Sequence, residues 1–198
     1  MTHSLEELRL THGFLGVRPW PQSIVEGKRM QLRNVAYVRV KTPLGMFIVA
    51  ARDAALKGGW FEGQKYFPEI NADFGWHEDE TSVLHAARQQ LDAYFAGTST
   101  DFQITLAPEG TEFQQQVWSA LRAVPWGETT TYAALARALG RPAAFHPVGA
   151  AVGRNPLSLF IPCHRALGSN GSLTGYAGGL ERKRWLLDHE GRERSLFD

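Results

Sequence analysis

The chain has 198 residues, 43% hydrophobic and 21% charged, which suits one ordinary domain or two small ones and excludes a disordered composition. The formal net charge is +1 and there is one cysteine, Cys163, which excludes an internal disulfide framework and any zinc site built on two thiolates. No apolar run approaches the roughly 20 residues that span a bilayer, and residues 1–10, with Glu6 and Glu7, do not read as a secretory leader.

In chain order, residues 1–31 mix Pro19, Pro21 and Gly27 without a sustained period and read as an extension or partly ordered arm. Val35 to Ala50 reads as two strands joined by the turn Thr42-Pro43-Leu44-Gly45, and Leu56–Phe61 as a third. Ser82–Phe95 has helical spacing, with Val83, Leu84, Ala87, Leu91, Tyr94 and Phe95 on one face and Gly97 as its stop. Phe102–Leu106 alternates like one more strand, which makes the first half a small α+β unit.

The second half is richer in helix signals. Phe113, Val117, Leu121 and Val124 recur at helical spacing until Pro125-Trp126-Gly127. Thr129 to Thr131 offer N-caps for a short helix over Tyr132–Leu139, ended by Gly140. After Arg141-Pro142 an Ala-rich stretch runs to about Gly153, completing a helix-turn-helix pattern whose second helix would be the recognition helix. Short consecutive helices are common in structures that touch no nucleic acid, so the pattern alone leaves both readings open. Residues 1–111 hold 11 Lys and Arg against 13 Asp and Glu, whereas residues 112–191 hold 8 against 5; this mildly basic half permits nucleic-acid binding without demanding it. The apolar run Leu157–Ile161 leads to Pro162-Cys163-His164-Arg165, then a glycine-rich loop over 168–179. A last helix follows, about Leu180 to His189, with Leu180 and Leu187 inward and Gly191 as its stop.

A nucleophilic cysteine reacts as its thiolate, and a neighbouring base or cation favours that form. His164 is placed to take the proton, directly or through a water; adjacent side chains on an extended segment point to opposite faces, so a bridging water suits the pair better. Glu190 is a candidate to orient the imidazole. The same residues also fit a buried small hydrophobe, a satisfied surface histidine and a solvated helix-end carboxylate.

Ile161-Pro162-Cys163-His164-Arg165 resembles the active-site signature of the O6-alkylguanine-DNA alkyltransferases. The resemblance covers about residues 111–191 closely, through Phe113-Gln114-Gln115-Gln116-Val117-Trp118, Pro125-Trp126-Gly127-Glu128-Thr129, Tyr132, Gly149, Asn155-Pro156, Gly175-Tyr176-Ala177-Gly178-Gly179, Lys183 and His189-Glu190-Gly191. It extends loosely to Thr42-Pro43-Leu44-Gly45 and to Leu91–Gly97. It implies an α+β protein: a ribonuclease-H-like α/β domain over 32–108 and a helical domain with a winged-helix-like helix-turn-helix over 109–192, between the extension (1–31) and a tail (193–198). It also implies irreversible, single-turnover transfer of an alkyl group from O6-alkylguanine, and from O4-alkylthymine, in DNA.

By that resemblance Cys163 is the acceptor, His164 relays its proton and Glu190 anchors the relay. Asn155 braces the turn before an active-site strand, and Tyr132 assists phosphate rotation and bonds to the flipped base. Tyr176, Ala177 and Gly178 wall the guanine pocket. His146, Arg141, Arg154, Thr129 and Gly149 are the expected DNA-binding residues, on double-stranded DNA entered from the minor groove with base flipping. A cytoplasmic monomer without metal, organic cofactor or membrane partner is expected. One position departs from the family pattern. Ten residues before Pro156 stands His146, followed by Pro147, where the family places an intercalating arginine and an alanine. Histidine is shorter and has fewer donors; either it wedges less efficiently, or Arg141 or Arg154 takes over. Pro147 is acceptable only in a first turn, which places the recognition-helix start near His146. The alternative is a damage-binding protein with weak or no transfer, which Cys163 disfavours. A cysteine hydrolase is disfavoured because it leaves the helix-turn-helix unexplained.

Overall fold

The computed structural model describes residues 34–191; the expected extension over 1–31 and the tail over 193–198 lie outside the described residues. The predicted hairpin is present. β1 (Val35–Thr42) and β2 (Gly45–Arg52) pair antiparallel, from Ala36 opposite Ala51 to Thr42 opposite Gly45. Thr42 closes the turn by donating its hydroxyl to the Gly45 carbonyl at 2.7 Å, and Gly45 adopts a φ of 107° that side chains resist. β3 (Ala55–Phe61) pairs with β2, and a short β4 (Trp76–Glu78) adds in parallel to β1, giving the order β3-β2-β1-β4. Three residues are too few for an alternation to announce β4 in the sequence.

Phe47–Ala51 of β2 are all buried because the sheet is covered on both faces. One face packs against α1 (Ser82–Phe95) through Leu84, Ala87, Leu91 and Tyr94. Val35, Ala50 and Trp60 form a smaller cluster with Tyr37, Phe67 and Trp76. The expected strand over 102–106 is absent. Phe102, Ile104 and Leu106 pack against the core, which accounts for their alternation, but the segment makes only one bridge, Leu106 to Leu56. Farther along β3, Gly59 bonds instead to Pro156 and Ser158, so neither segment has room for a ladder.

α2 (Glu112–Arg122) starts from a capping box in which Thr111 and Gln114 each satisfy the other's backbone N–H. Thr131 caps α3 (Tyr132–Ala138), accepting from Ala134 N. A 3₁₀ turn over Pro142–Ala144 leads into α4 (Phe145–Gly153). Pro147 therefore lies in the first turn of α4, where its missing N–H has no helical acceptor to lose. A parallel pair that the sequence did not signal, β5 (Thr130–Thr131) with β6 (Ala166–Leu167), ties the start of α3 to the chain beyond Cys163. α5 (Leu180–His189) is the last element of the described chain. Leu187 is buried as expected, but Leu180 is exposed, and Lys183 and Leu186 are buried beside Leu187. One buried cluster runs from the sheet and α1 through α2 and α4 to Cys163 and Leu186, and residues 34–191 fall in one compact unit.

Candidate active site

The site begins where α4 ends. Asn155 is buried and binds three points of the following reversal. Its Oδ1 accepts from Leu157 N at 3.0 Å, and its Nδ2 donates to Ile161 O at 2.8 Å and to Cys163 Sγ at 3.0 Å. The segment between is a tight buried reversal rather than a strand. Ile161 N donates to Leu157 O, and Leu159 adopts a φ of 71°, a conformation costing a leucine roughly 1–3 kcal/mol. Pro162 then opens a 3₁₀ turn, Cys163–Arg165. The extended geometry expected for Cys163-His164 is therefore corrected: a turn lets three consecutive side chains all enter the interior, with His164 wholly buried.

Glu190, the C-cap of α5, gathers those side chains. Its Oε1 lies 2.8 Å from His164 Nε2 and accepts from Arg165 Nη2 at 3.0 Å and from the Tyr94 hydroxyl at 2.8 Å; its Oε2 accepts from Arg165 Nε at 2.7 Å. Burial alone would raise the carboxyl, but the His164 bond and the Arg165 guanidinium outweigh it and hold it at about 2. Beside an ionised carboxylate, His164 Nε2 carries the proton. Burial pushes the imidazole below its ordinary value, with Glu190 offsetting part of that. His164 Nδ1 is buried and has no hydrogen-bond partner, so in the neutral ring it is an acceptor facing inward. Burial also pushes the Cys163 thiol up; the Asn155 bond and the charge of Lys183 act in the opposite direction. The resting arrangement is a neutral thiol, a neutral imidazole with an open lone pair, and a fixed carboxylate.

The expected pocket wall joins this cluster. The Tyr132 hydroxyl donates to the Thr174 and Gly175 carbonyls at 2.9 and 3.1 Å, and burial raises its pKa. The Tyr176 hydroxyl is buried without a partner. Gly178 is required beside it, because a Cβ there would lie 2.6 Å from the Tyr176 ring. The Ala177 carbonyl accepts from Lys65 N. Lys183 crosses beneath this loop, donating to Ala166 O at 2.5 Å and Thr174 O at 2.8 Å.

Of the expected DNA-binding residues, Thr129, Arg141, His146 and Arg154 are exposed and Gly149 is half-buried. His146 is exposed and its ring lies 4.3 Å from that of exposed Phe145. The Arg141 guanidinium lies over the Phe113 ring and that of Arg154 over the Tyr66 ring. Thr129 is exposed, while Gly149 faces the Tyr132 ring. Three residues of the site were not singled out for it from sequence: Arg165, Lys183 and Tyr94. Arg165 and Lys183 stood inside the quoted motifs, and the inward face of α5 shared by Lys183 and Leu187 was the available signal. Tyr94 read as an ordinary core position of α1.

Residues 112–192 match the family described as 6-O-methylguanine DNA methyltransferase, DNA binding domain, and residues 35–108 its ribonuclease-like domain. The chain is 45% identical over 156 residues to the methylated-DNA–protein-cysteine methyltransferase of Methanosarcina acetivorans, covering 78% of this chain and 97% of that one. It is 42% identical over 168 residues to the protein of that name from Mycolicibacterium paratuberculosis, covering 83% and 99%. Its fold is similar to the crystal structure of Mycobacterium tuberculosis OGT in complex with DNA, with a TM-score of 0.74 and 40% identity over 82% of this chain and 99% of that one.

Proposed function

The chain belongs to the 6-O-methylguanine DNA methyltransferase family, and we propose the residues through which it acts. It repairs DNA by moving the alkyl group of O6-alkylguanine onto a cysteine of its own chain, once per molecule. Cys163 is that acceptor. The observation carrying this assignment is that the one cysteine bonds to Asn155 and sits beside a His164–Glu190 pair whose Nδ1 is unpartnered. In the reaction the S–C bond forms as the C–O6 bond breaks, and the electron pair passes to O6. The thiol gives up its proton and the guanine gains one, so an unmodified guanine remains in the DNA. His164 takes the thiol proton at Nδ1 through a water, and Glu190 stabilises the imidazolium that results. Asn155 and Lys183 favour the sulfur anion. The buried Tyr176 hydroxyl, which has no partner, supplies a donor where charge develops on the purine, and Tyr132 joins it once its proton turns from the Thr174 and Gly175 carbonyls. The product is a thioether, from which the Cys163 thiolate would be a poor leaving group, and this makes the transfer final.

The finer reading is that α4 enters the minor groove of duplex DNA and the lesion swings out into the space under the 175–178 loop. Exposed rings at the start of α4 support this, since apolar and aromatic wedges separate base steps at a cost of a few kcal/mol. Phe145 and His146 fill the vacated position. Arg141 and Arg154 are less suited because each already lies over an aromatic ring. A monomer suffices for this chemistry, because Asn155 and Cys163, and His164 and Glu190, contact one another within a single chain.

The test is mass spectrometry of the intact protein and its peptides after mixing with duplex DNA that carries one O6-methylguanine. The expected result is a stoichiometric gain of one methyl on the Cys163 peptide and normal guanine in the DNA. Binding of the damaged duplex without transfer would instead mark a damage-binding protein.

A further inference from the structure

We propose that Tyr94, on α1 and far in sequence from the segment that carries Cys163, is a positioning residue of the transfer: its hydroxyl orients the Glu190 carboxylate and sets how strongly that carboxylate holds His164. The proposal rests on His164 acting as the base. Tyr94 belongs to the ribonuclease-like match, over residues 35–108, and Glu190 to the DNA-binding match, over 112–192. A group outside the catalytic half therefore reaches its innermost carboxylate.

Two bonds from consecutive residues of the α5 end meet on Tyr94. Its hydroxyl donates to Glu190 Oε1 at 2.8 Å, and His189 Nε2 lies 2.7 Å from its backbone carbonyl. Helix ends fray, and this double hold fixes the C-terminal end of α5. The Tyr94 side chain is itself fixed. It is 1% exposed, its ring stacks on Phe102 at 5.3 Å, and it meets Trp126 edge-on at 5.1 Å. Packing of that kind needs only a ring; the hydroxyl adds something else.

Oε1 takes a share from three donors, His164, Tyr94 and Arg165. Each added donor spreads the carboxylate charge and weakens the pull on the others. The Tyr94 hydroxyl cannot compete as a base, because burial and then the Glu190 charge hold its pKa well above the ordinary tyrosine value. It remains a donor throughout the working range of pH. By drawing on Oε1 it keeps Glu190 from over-stabilising the imidazolium, so that His164 stays neutral with an open Nδ1. The other charged or titratable groups near the pair are Arg165, Lys183, Cys163, Tyr176 and His189, and substitution of the Tyr94 hydroxyl leaves all of them in place.

Tyr94→Phe keeps the ring and removes only the donor. The full chain, without DNA, is followed by NMR titration of the His164 imidazole, and the transfer rate on O6-methylguanine DNA is measured against pH. The titration midpoint is expected to rise by about half to one pH unit, and the acid limb of the transfer rate to move up with it. If Tyr94→Phe does not fold, 3-fluorotyrosine at position 94, a stronger donor of nearly the same shape, is expected to lower the midpoint. A midpoint that stays put or moves the opposite way in the variant measured overturns the proposal, even if the rate falls uniformly at all pH. The reading of His164 as base fails separately: wild-type transfer would then not follow the His164 titration.

Discussion

Asn155 shows how much one short side chain can organise. It satisfies Leu157 N and Ile161 O within the reversal and also donates to Cys163 Sγ. Asn155→Ala is expected to cost about 1–3 kcal/mol of stability through the unmet buried groups, read by urea unfolding. Losing the bond that favours the thiolate also raises the thiol, so labelling of Cys163 by iodoacetamide at neutral pH should slow about tenfold. Glu190 makes a prediction of a different kind. Its carboxyl is lowered from 4.5 to about 2, so ionised Glu190 stabilises the fold by about 3 kcal/mol. A lowered carboxyl contributes fully above its unfolded value and loses that contribution as pH falls through the folded one. The stability gap between wild type and Glu190→Gln should therefore be widest near neutrality and close between pH 5 and about 2. Cys163, His164, Glu190 and Asn155 were legible because they stand in a dense motif. Arg165, Lys183 and Tyr94 were not, because burial of a cation, or a polar bond from a core tyrosine, depends on partners distant in the chain.

At the level of elements, α4 carries His146-Pro147, where the family resemblance places an arginine and an alanine. Its start was legible from one rule, that proline belongs in a first turn, and the helix indeed begins at Phe145, two residues before Pro147. His146 is exposed there beside Phe145. A longer, permanently charged side chain at that position reaches farther into the base stack and contacts phosphates. His146→Arg is expected to speed repair of duplex O6-methylguanine several-fold, and His146→Ala to slow it, with single-stranded substrate little affected by either. Equal rates for all three proteins on duplex would remove His146 from the DNA contact. Two elements misled the sequence reading for related reasons. Residues 102–106 alternate because one side packs on the core, although β3 offers them only one bridge. Leu180 counted as inward by its type, but Lys183 holds the inward position because two backbone carbonyls neutralise its cost.

Across the whole molecule, the halves matched by the two family domains share one buried cluster and meet at the Tyr94–Glu190 bond. Gly59 of β3 bonds to the chain just before the active-site reversal. The described chain is therefore expected to unfold as one cooperative unit, with tryptophan fluorescence and far-ultraviolet circular dichroism tracing the same denaturant curve. Two separated transitions would show that the halves are energetically independent. The amino-acid order by itself determined the hairpin, α1, the helix-turn-helix and the identity of the nucleophile, because each is written in local periodicity, caps or a contiguous motif. Only the tertiary structure decided that His164 keeps Nδ1 open, that Glu190 serves three donors and that a tyrosine of the first half completes the site. Those facts depend on burial and on contacts between residues 26 and 96 positions apart, and no local pattern encodes which distant group will satisfy a buried charge.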